Sequence, residues 1–181
     1  KQFRLWYRQS GTPELYISGT HDPEKKTYSL TVQQSCPDTA GQTGFGEDSK
    51  NINSKLLTGG SGKTQNNFQK QPFHIPLALG FLTPDGQTLE LKIRGEQNKS
   101  SPDSQVIEIR QDTETFVFED VPEAPLPSLL RGFSAPVKLH FDYSNAELAF
   151  LLANDSDEFN RWEAGQQLMI RISLEQIQNF Q

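Results

Sequence analysis

The chain is poor in sulfur: one cysteine, Cys36, and one methionine, Met169, in 181 residues. A single thiol can form neither an internal disulfide nor a thiolate metal cluster, so the fold must be held by packing, and a reducing compartment such as the cytoplasm is expected. A disulfide-free secreted domain has the same composition. Histidine is nearly as scarce. None of His21, His74 and His140 is followed by glutamate and a second histidine at helical spacing, so the zinc-peptidase helix is absent from this stretch. No apolar run approaches the roughly 20 residues that span a bilayer. The N-terminus also lacks the basic-then-apolar pattern of a secretory signal. Nor is there an excess of positive charge: a formal net charge of −6 argues against a nucleic-acid backbone or an anionic membrane surface as partner. Lys1 runs directly into a strand-like pattern, as expected of a segment from a longer polypeptide.

What remains fits one ordinary domain with an appendage. The hydrophobic fraction of 34% is low for a compact globule, which implies polar connector outside the core. Period-two alternation, the mark of strands with one buried face, recurs through the first three quarters. Val137, Leu139, Phe141 and Tyr143 alternate with Lys138, His140 and Asp142; Leu89, Leu91 and Ile93 alternate with Glu90, Lys92 and Arg94. Further strands are expected at Phe3 to Tyr7, Leu15 to Ile17, Tyr28 to Val32, Phe73 to Leu82, Ile107 to Ile109 and Phe116 to Phe118. Thr83-Pro84-Asp85-Gly86 supplies a tight turn. Pro122, Pro125 and Pro127 mark a connection or a sheet edge, because proline cannot donate a ladder hydrogen bond. Many short strands without interleaved helices predict a mainly β fold, an antiparallel β-sandwich of the immunoglobulin or fibronectin kind, over residues 1–143. Residues at about 37–70, rich in Gly, Ser, Asn, Thr and Gln, read as a long polar surface loop.

The pattern then turns helical over residues 144–181. Asn145 to Ala153 suits one short helix, and Asp155 with Glu158 has the form of a capping box opening a second. Along that second helix Phe159, Trp162, Met169 and Ile172 fall near one face, widened by Ile170, Leu174 and Ile177. That face is too apolar to be left in water.

Each candidate chemical site has a plainer explanation. Gly59-Gly60-Ser61-Gly62-Lys63-Thr64 resembles a phosphate-binding loop, but Leu57 stands where the pattern needs glycine and neither flanking element is evident, so a linker is favoured. The histidines suit surface or hydrogen-bonded roles. Cys36 has no histidine nearby in sequence to activate it and reads as a passive thiol. Asp155, Asp157 and Glu158 complement a helix N-terminus and need no cation. Most aromatic residues, among them Phe81, Phe116, Phe118 and Phe141, lie on inward strand phases and suit a core. Trp6 and Tyr16 lie on the opposite phase from their apolar neighbours, which leaves a sugar-stacking role open for them.

Two stretches carry a family resemblance: Phe133-Ser134-Ala135-Pro136-Val137-Lys138-Leu139 and Phe159-Asn160-Arg161-Trp162-Glu163-Ala164. Together with Gln9-Ser10-Gly11-Thr12-Pro13, Gln71-Pro72-Phe73-His74-Ile75-Pro76 and Thr115-Phe116-Val117-Phe118, in this order, they make the chain resemble the zinc gluzincin aminopeptidases of the aminopeptidase N family. The resemblance covers nearly everything except Cys36 to Gln69. It implies the small sandwich and the start of the helical domain of a four-domain exopeptidase that removes N-terminal residues from peptides. The zinc ligands and the catalytic glutamate would belong to the preceding domain, so no catalytic, cofactor or metal residue is carried over to this chain. Zinc would belong to the parent enzyme, as would the peptide substrates, and the partners of this region would be the catalytic and helical domains of the same polypeptide. The expected interdomain contacts are Phe159, Arg161, Trp162, Met169 and Ile172. A free-standing ligand-binding sandwich, of the sugar or adhesion type, is the alternative.

Overall fold

The computed structural model describes residues 2–39, 70–95 and 104–179. Most of the polar stretch at about 37–70, with the glycine-rich Gly59 to Thr64, therefore lies outside the described residues.

Among the described residues, nine strands form two sheets. The larger holds β1 (Glu14–Asp22), β2 (Thr27–Ser35), β5 (Lys92–Ile93), β7 (Thr113–Glu119) and β9 (Lys138–His140), in the order β5-β7-β2-β1-β9. The smaller runs β4 (Thr88–Leu89), β3 (Ile75–Leu82), β6 (Gln105–Ile109), and β8 (Leu126–Leu129) pairs with the end of β3. All pairings are antiparallel except β1 with β9, which is parallel, with Leu15 opposite Leu139. Alternation gives the core directly. Leu15 and Ile17, Leu30 and Val32, and Ile107 and Ile109 point inward from their strands and are buried with Leu77, Leu79, Phe81 and Phe118. Pro127 sits in the short strand β8, paired to one neighbour only, as its missing donor requires.

β3 departs from strict alternation because Gly80, Phe81 and Leu82 are buried in succession. Phe81 faces the sandwich core. Leu82 faces the other way, into a second cluster with Tyr143, Leu148, Leu151 and Ala164, where two helices, Asn145–Asn154 and Glu158–Asn179, pack on the outside of the small sheet. This second layer explains why the expected strand from Val137 to Tyr143 is cut to Lys138–His140: Tyr143 leaves the sheet to anchor that cluster, its hydroxyl donating to the Pro127 carbonyl at 2.8 Å.

The N-terminal segment is not the strand expected at Phe3 to Tyr7. Gln2–Arg4 form a 3-10 turn that runs into a helical turn, Leu5–Arg8. Helical spacing puts Gln2 and Trp6 on one side, where the Gln2 amide reaches the Pro72 carbonyl at 3.0 Å and the Trp6 indole donates to the His74 carbonyl at 3.1 Å. These partners belong to the arm entering β3. The same arm is held by two glutamines: Gln9 both donates to and accepts from the Gln71 backbone, and Gln34 does so with Phe73. Trp6, its ring 4.8 Å from that of Phe73, is therefore part of the packing.

Tyr28 lies over Gly19 on the neighbouring strand, so closely that a Cβ at Gly19 would fall 1.7 Å from the phenol oxygen. Only glycine leaves that space. Burial, with the Glu147 carboxylate as a lesser cause, pushes the Tyr28 phenol from 10.0 up to about 12. A phenol that ionises later folded than unfolded contributes stability below pH 10 and loses it as pH rises toward about 12. Denaturant midpoints should fall across that window. Tyr28→Phe should remove part of the fall, and Tyr143, which burial also pushes up, contributes to the remainder.

Candidate interdomain face

The junction between sandwich and helices is built from a tight turn. After β8 the chain passes through Leu130, at φ 60° and ψ 37°, then Gly132 at φ 59° and Phe133 at φ 52°. Left-handed backbone costs a non-glycine residue about 1–3 kcal/mol, so Leu130 and Phe133 hold it only because their surroundings fix it. The turn sends neighbouring side chains in opposite senses. Arg131 points inward and is buried, donating to the Asp155 carboxylate at 3.1 Å and to the Ser156 hydroxyl. Phe133 points outward, half exposed, its ring 5.5 Å from that of Phe159. The Ser134 hydroxyl accepts from the Ala78 amide at 2.9 Å, which ties the turn to β3.

Asp155 is thus not the helix cap that its spacing to Glu158 suggests. Its carboxylate is fully buried and accepts from the Asp157 amide as well as from Arg131. The helix cap is Asp157, which accepts from the Asn160 amide at 2.9 Å. The capping box that does form is Ser144 with Glu147, opening the first C-terminal helix. Burial moved Asp155 from capping to pairing, and the nearest free carboxylate took the cap.

Asn160 completes the joint. Its amide donates to the Ser128 hydroxyl at 2.8 Å and the Leu129 carbonyl at 3.0 Å, both on β8. Arg161, exposed on the opposite side, donates to the Leu152 carbonyl at 3.2 Å and so links the two helices. Arg171 reaches the Tyr143 carbonyl. The inner side of the long helix, with Asn160, Ala164 and the half-buried Gln167 and Arg171, is mostly polar. Its outward sides carry exposed apolar residues among polar ones: Trp162 is 58% exposed and Met169 62%, with Ile170, Ile172, Leu174 and Ile177 also exposed. Phe159 is half buried between Phe133 and Trp162.

Of the five residues expected at an interdomain joint, Phe159 and Arg161 also work within this chain, while Trp162, Met169 and Ile172 face outward. Arg131 stands two residues before the Phe133 stretch. Asn160 lies inside the Phe159 to Ala164 stretch. For Arg131 the sequence signal is a charge among the apolar Leu129, Leu130 and Phe133; Asn160, between Phe159 and Arg161, has none, and both acquire meaning only through their burial.

The histidines are scattered rather than gathered. His21 meets the Val121 carbonyl at 3.0 Å, His74 faces Glu108 at 3.4 Å, and His140 faces Glu14 at 3.3 Å. Glu14 also accepts from the Lys138 ammonium and the Tyr16 hydroxyl; the Tyr16 bond, foremost, lowers its carboxyl and raises the phenol. Tyr16 stacks on His140 with ring centres 4.5 Å apart, at the rim of an open groove of about 590 Å³ between the outer face of the large sheet and the long helix. These surroundings do not fit a zinc site, because each imidazole has a different partner and the carboxylate beside His140 is already paired with a cation. Among the described residues no three histidine, cysteine or carboxylate side chains gather as a metal site, and no helix is long and apolar enough to cross a membrane.

Residues 48–142 match the family model described as "Domain of unknown function (DUF3458) Ig-like fold", and residues 145–181 match "Domain of unknown function (DUF3458_C) ARM repeats". Aminopeptidase N of Escherichia coli strain K12 is 34% identical over 167 residues, and that of Haemophilus influenzae 35% identical over 180. These alignments take in 92% and 99% of this chain but 16% and 17% of the relatives, so the chain spans about a sixth of their length. A crystal structure of Legionella pneumophila aminopeptidase A in complex with aspartic acid superposes with a TM-score of 0.63 at 26% identity, over 92% of this chain and 14% of that one. With the sandwich, the helix pair and the sequence matches all in agreement, the chain belongs to the aminopeptidase N family, of which it is the Ig-like and helical region.

Proposed function

We propose that this region is a non-catalytic spacer in a zinc-dependent aminopeptidase of the cytoplasm, fixing the helical domain at a set angle over the catalytic domain of the same polypeptide. The domain boundary falls at residues 143 and 144, between the sandwich and the helices. The zinc and the peptide substrates belong to the rest of the enzyme. The observation that carries this reading is the division of labour on the long helix. Its start is pinned to β8 by Asn160 and, through Asp155 just before it, to the Arg131 turn, while Trp162, Met169 and Ile172 stand exposed on its other sides. A rigid joint beneath and an apolar face above suit a part that transmits position between neighbours. Phe159, Arg161, Trp162, Met169 and Ile172 are its interdomain contacts.

Isolated in water, such a face tends to self-associate. Sedimentation of the chain should show concentration-dependent association, and Met169→Glu with Ile172→Glu should weaken it by an order of magnitude or more without changing the melting of the sandwich. A chain that stays monomeric at every concentration, with the long helix fully protected from hydrogen exchange, would count against the spacer reading.

A further inference from the structure

Cys36, just past the end of β2, and Lys70, at the start of the arm entering β3, are 34 residues apart in sequence and meet in space: the lysine Nζ lies 3.6 Å from the thiol sulfur. Sequence spacing concealed this pair, and nothing in the spacer role uses it. Lys70 is not a surface lysine that happens to pass by. Its side chain is only 10% exposed, and its ammonium is held against the sulfur by the Ser10 carbonyl at 3.1 Å and by the Pro37 carbonyl, with the Asp38 carboxylate at 3.7 Å. The room for this meeting comes from Gly11, at φ +102°: a Cβ there would lie 2.9 Å from the sulfur and 3.3 Å from the lysine nitrogen. Cys36 itself is only partly buried, which leaves the sulfur open to a small oxidant.

We propose that Cys36 and Lys70 are a redox-sensitive cross-linking pair, in which peroxide oxidation of the thiol is followed by closure of a covalent S–N bond to the lysine amine. In the first step the Cys36 thiolate attacks a peroxide oxygen. The O–O bond breaks, sulfur is oxidised to the sulfenic acid, and the other oxygen takes up the proton that the thiol gave up and leaves as water. In the second, the Lys70 ammonium gives up a proton, for which Asp38 is the adjacent base, and the free amine attacks the sulfenic sulfur. The S–N bond forms, the S–O bond breaks, and the hydroxyl leaves with a proton as a second water. The sum is thiol, amine and one hydrogen peroxide giving the sulfenamide and two waters, with no other reductant or oxidant. Lys70 is long enough to close the remaining gap, and the link would join the exit of β2 to the entry of β3. A thiol reopens it by attack on sulfur.

The test is peptide mapping of the full chain after graded hydrogen peroxide, with and without dithiothreitol. The expected product is one peptide pair joined through Cys36 and Lys70, lighter than its parts by two hydrogens, resistant to tryptic cleavage at Lys70, and restored by dithiothreitol. Lys70→Arg keeps the positive charge but removes the nucleophile. It should abolish the linked pair and raise trapping of the Cys36 sulfenic acid by dimedone several-fold. Unlinked Cys36 sulfenic or sulfinic acid in the wild-type chain, with Lys70 still cleaved, overturns the proposal. A linked pair carrying an additional oxygen overturns the S–N chemistry. The wild-type map decides even if the variant folds poorly.

Discussion

Replacing Arg131 by methionine should cost about 3–5 kcal/mol of folding stability, the loss expected when one partner of a buried ion pair is removed. The reason is what stays behind. Asp155 is fully buried, one of its carboxylate oxygens has no hydrogen-bond partner among the described residues, and without the guanidinium the charge is held by little more than the Asp157 amide. Urea denaturation followed by circular dichroism measures the loss as a lower midpoint at unchanged slope. The double change Arg131→Met with Asp155→Leu, which removes both charges and keeps the volume, should recover most of it. If Arg131→Met alone is neutral, the pair is not what fixes the helices to the sandwich. Hydrogen exchange adds a positional readout, because loss of the joint should lower protection in Glu158–Asn179 before it lowers protection in β1 and β2.

Phe81→Ala should be comparably severe, at about 3–5 kcal/mol, the usual cost of deleting a buried aromatic ring. Phe81 is fully buried at the far end of β3, with the ring of Tyr28 at 4.9 Å and that of Phe118 at 4.7 Å, both edge-on. Removing it opens a cavity between the sheets that strand backbones cannot close, since β3 is paired there to both β4 and β8. Thermal melting should show a single transition displaced to lower temperature. Unlike Arg131→Met, this change should reduce exchange protection throughout the sandwich. A loss below about 1 kcal/mol would mean that the core relaxes around the vacancy.

These two substitutions mark the line between what could be read in the chain and what could not. Alternation at Leu15 and Ile17, Leu30 and Val32, and Phe116 and Phe118 settled the sandwich and most of its inward faces, because a strand's period of two is a local property that the residues carry with them. The helical spacing after Asn145 is local in the same way, as are the motif runs that point to the aminopeptidase N family. Phe3 to Tyr7 could not be settled locally. Five residues satisfy either period, and the choice fell to the partners offered by Pro72 and His74, nearly 70 positions away. Asp155 was likewise ambiguous: its spacing fits a cap, and only the position of Arg131, turned inward by left-handed backbone at Leu130 and Phe133, made it an ion-pair partner. The parallel pairing of β1 with β9 and the meeting of Cys36 with Lys70 left no local trace either. Such contacts depend on how distant segments are brought together, and that is decided by burial and by the demand that every buried polar group find a partner, conditions that exist only once the chain has closed on itself.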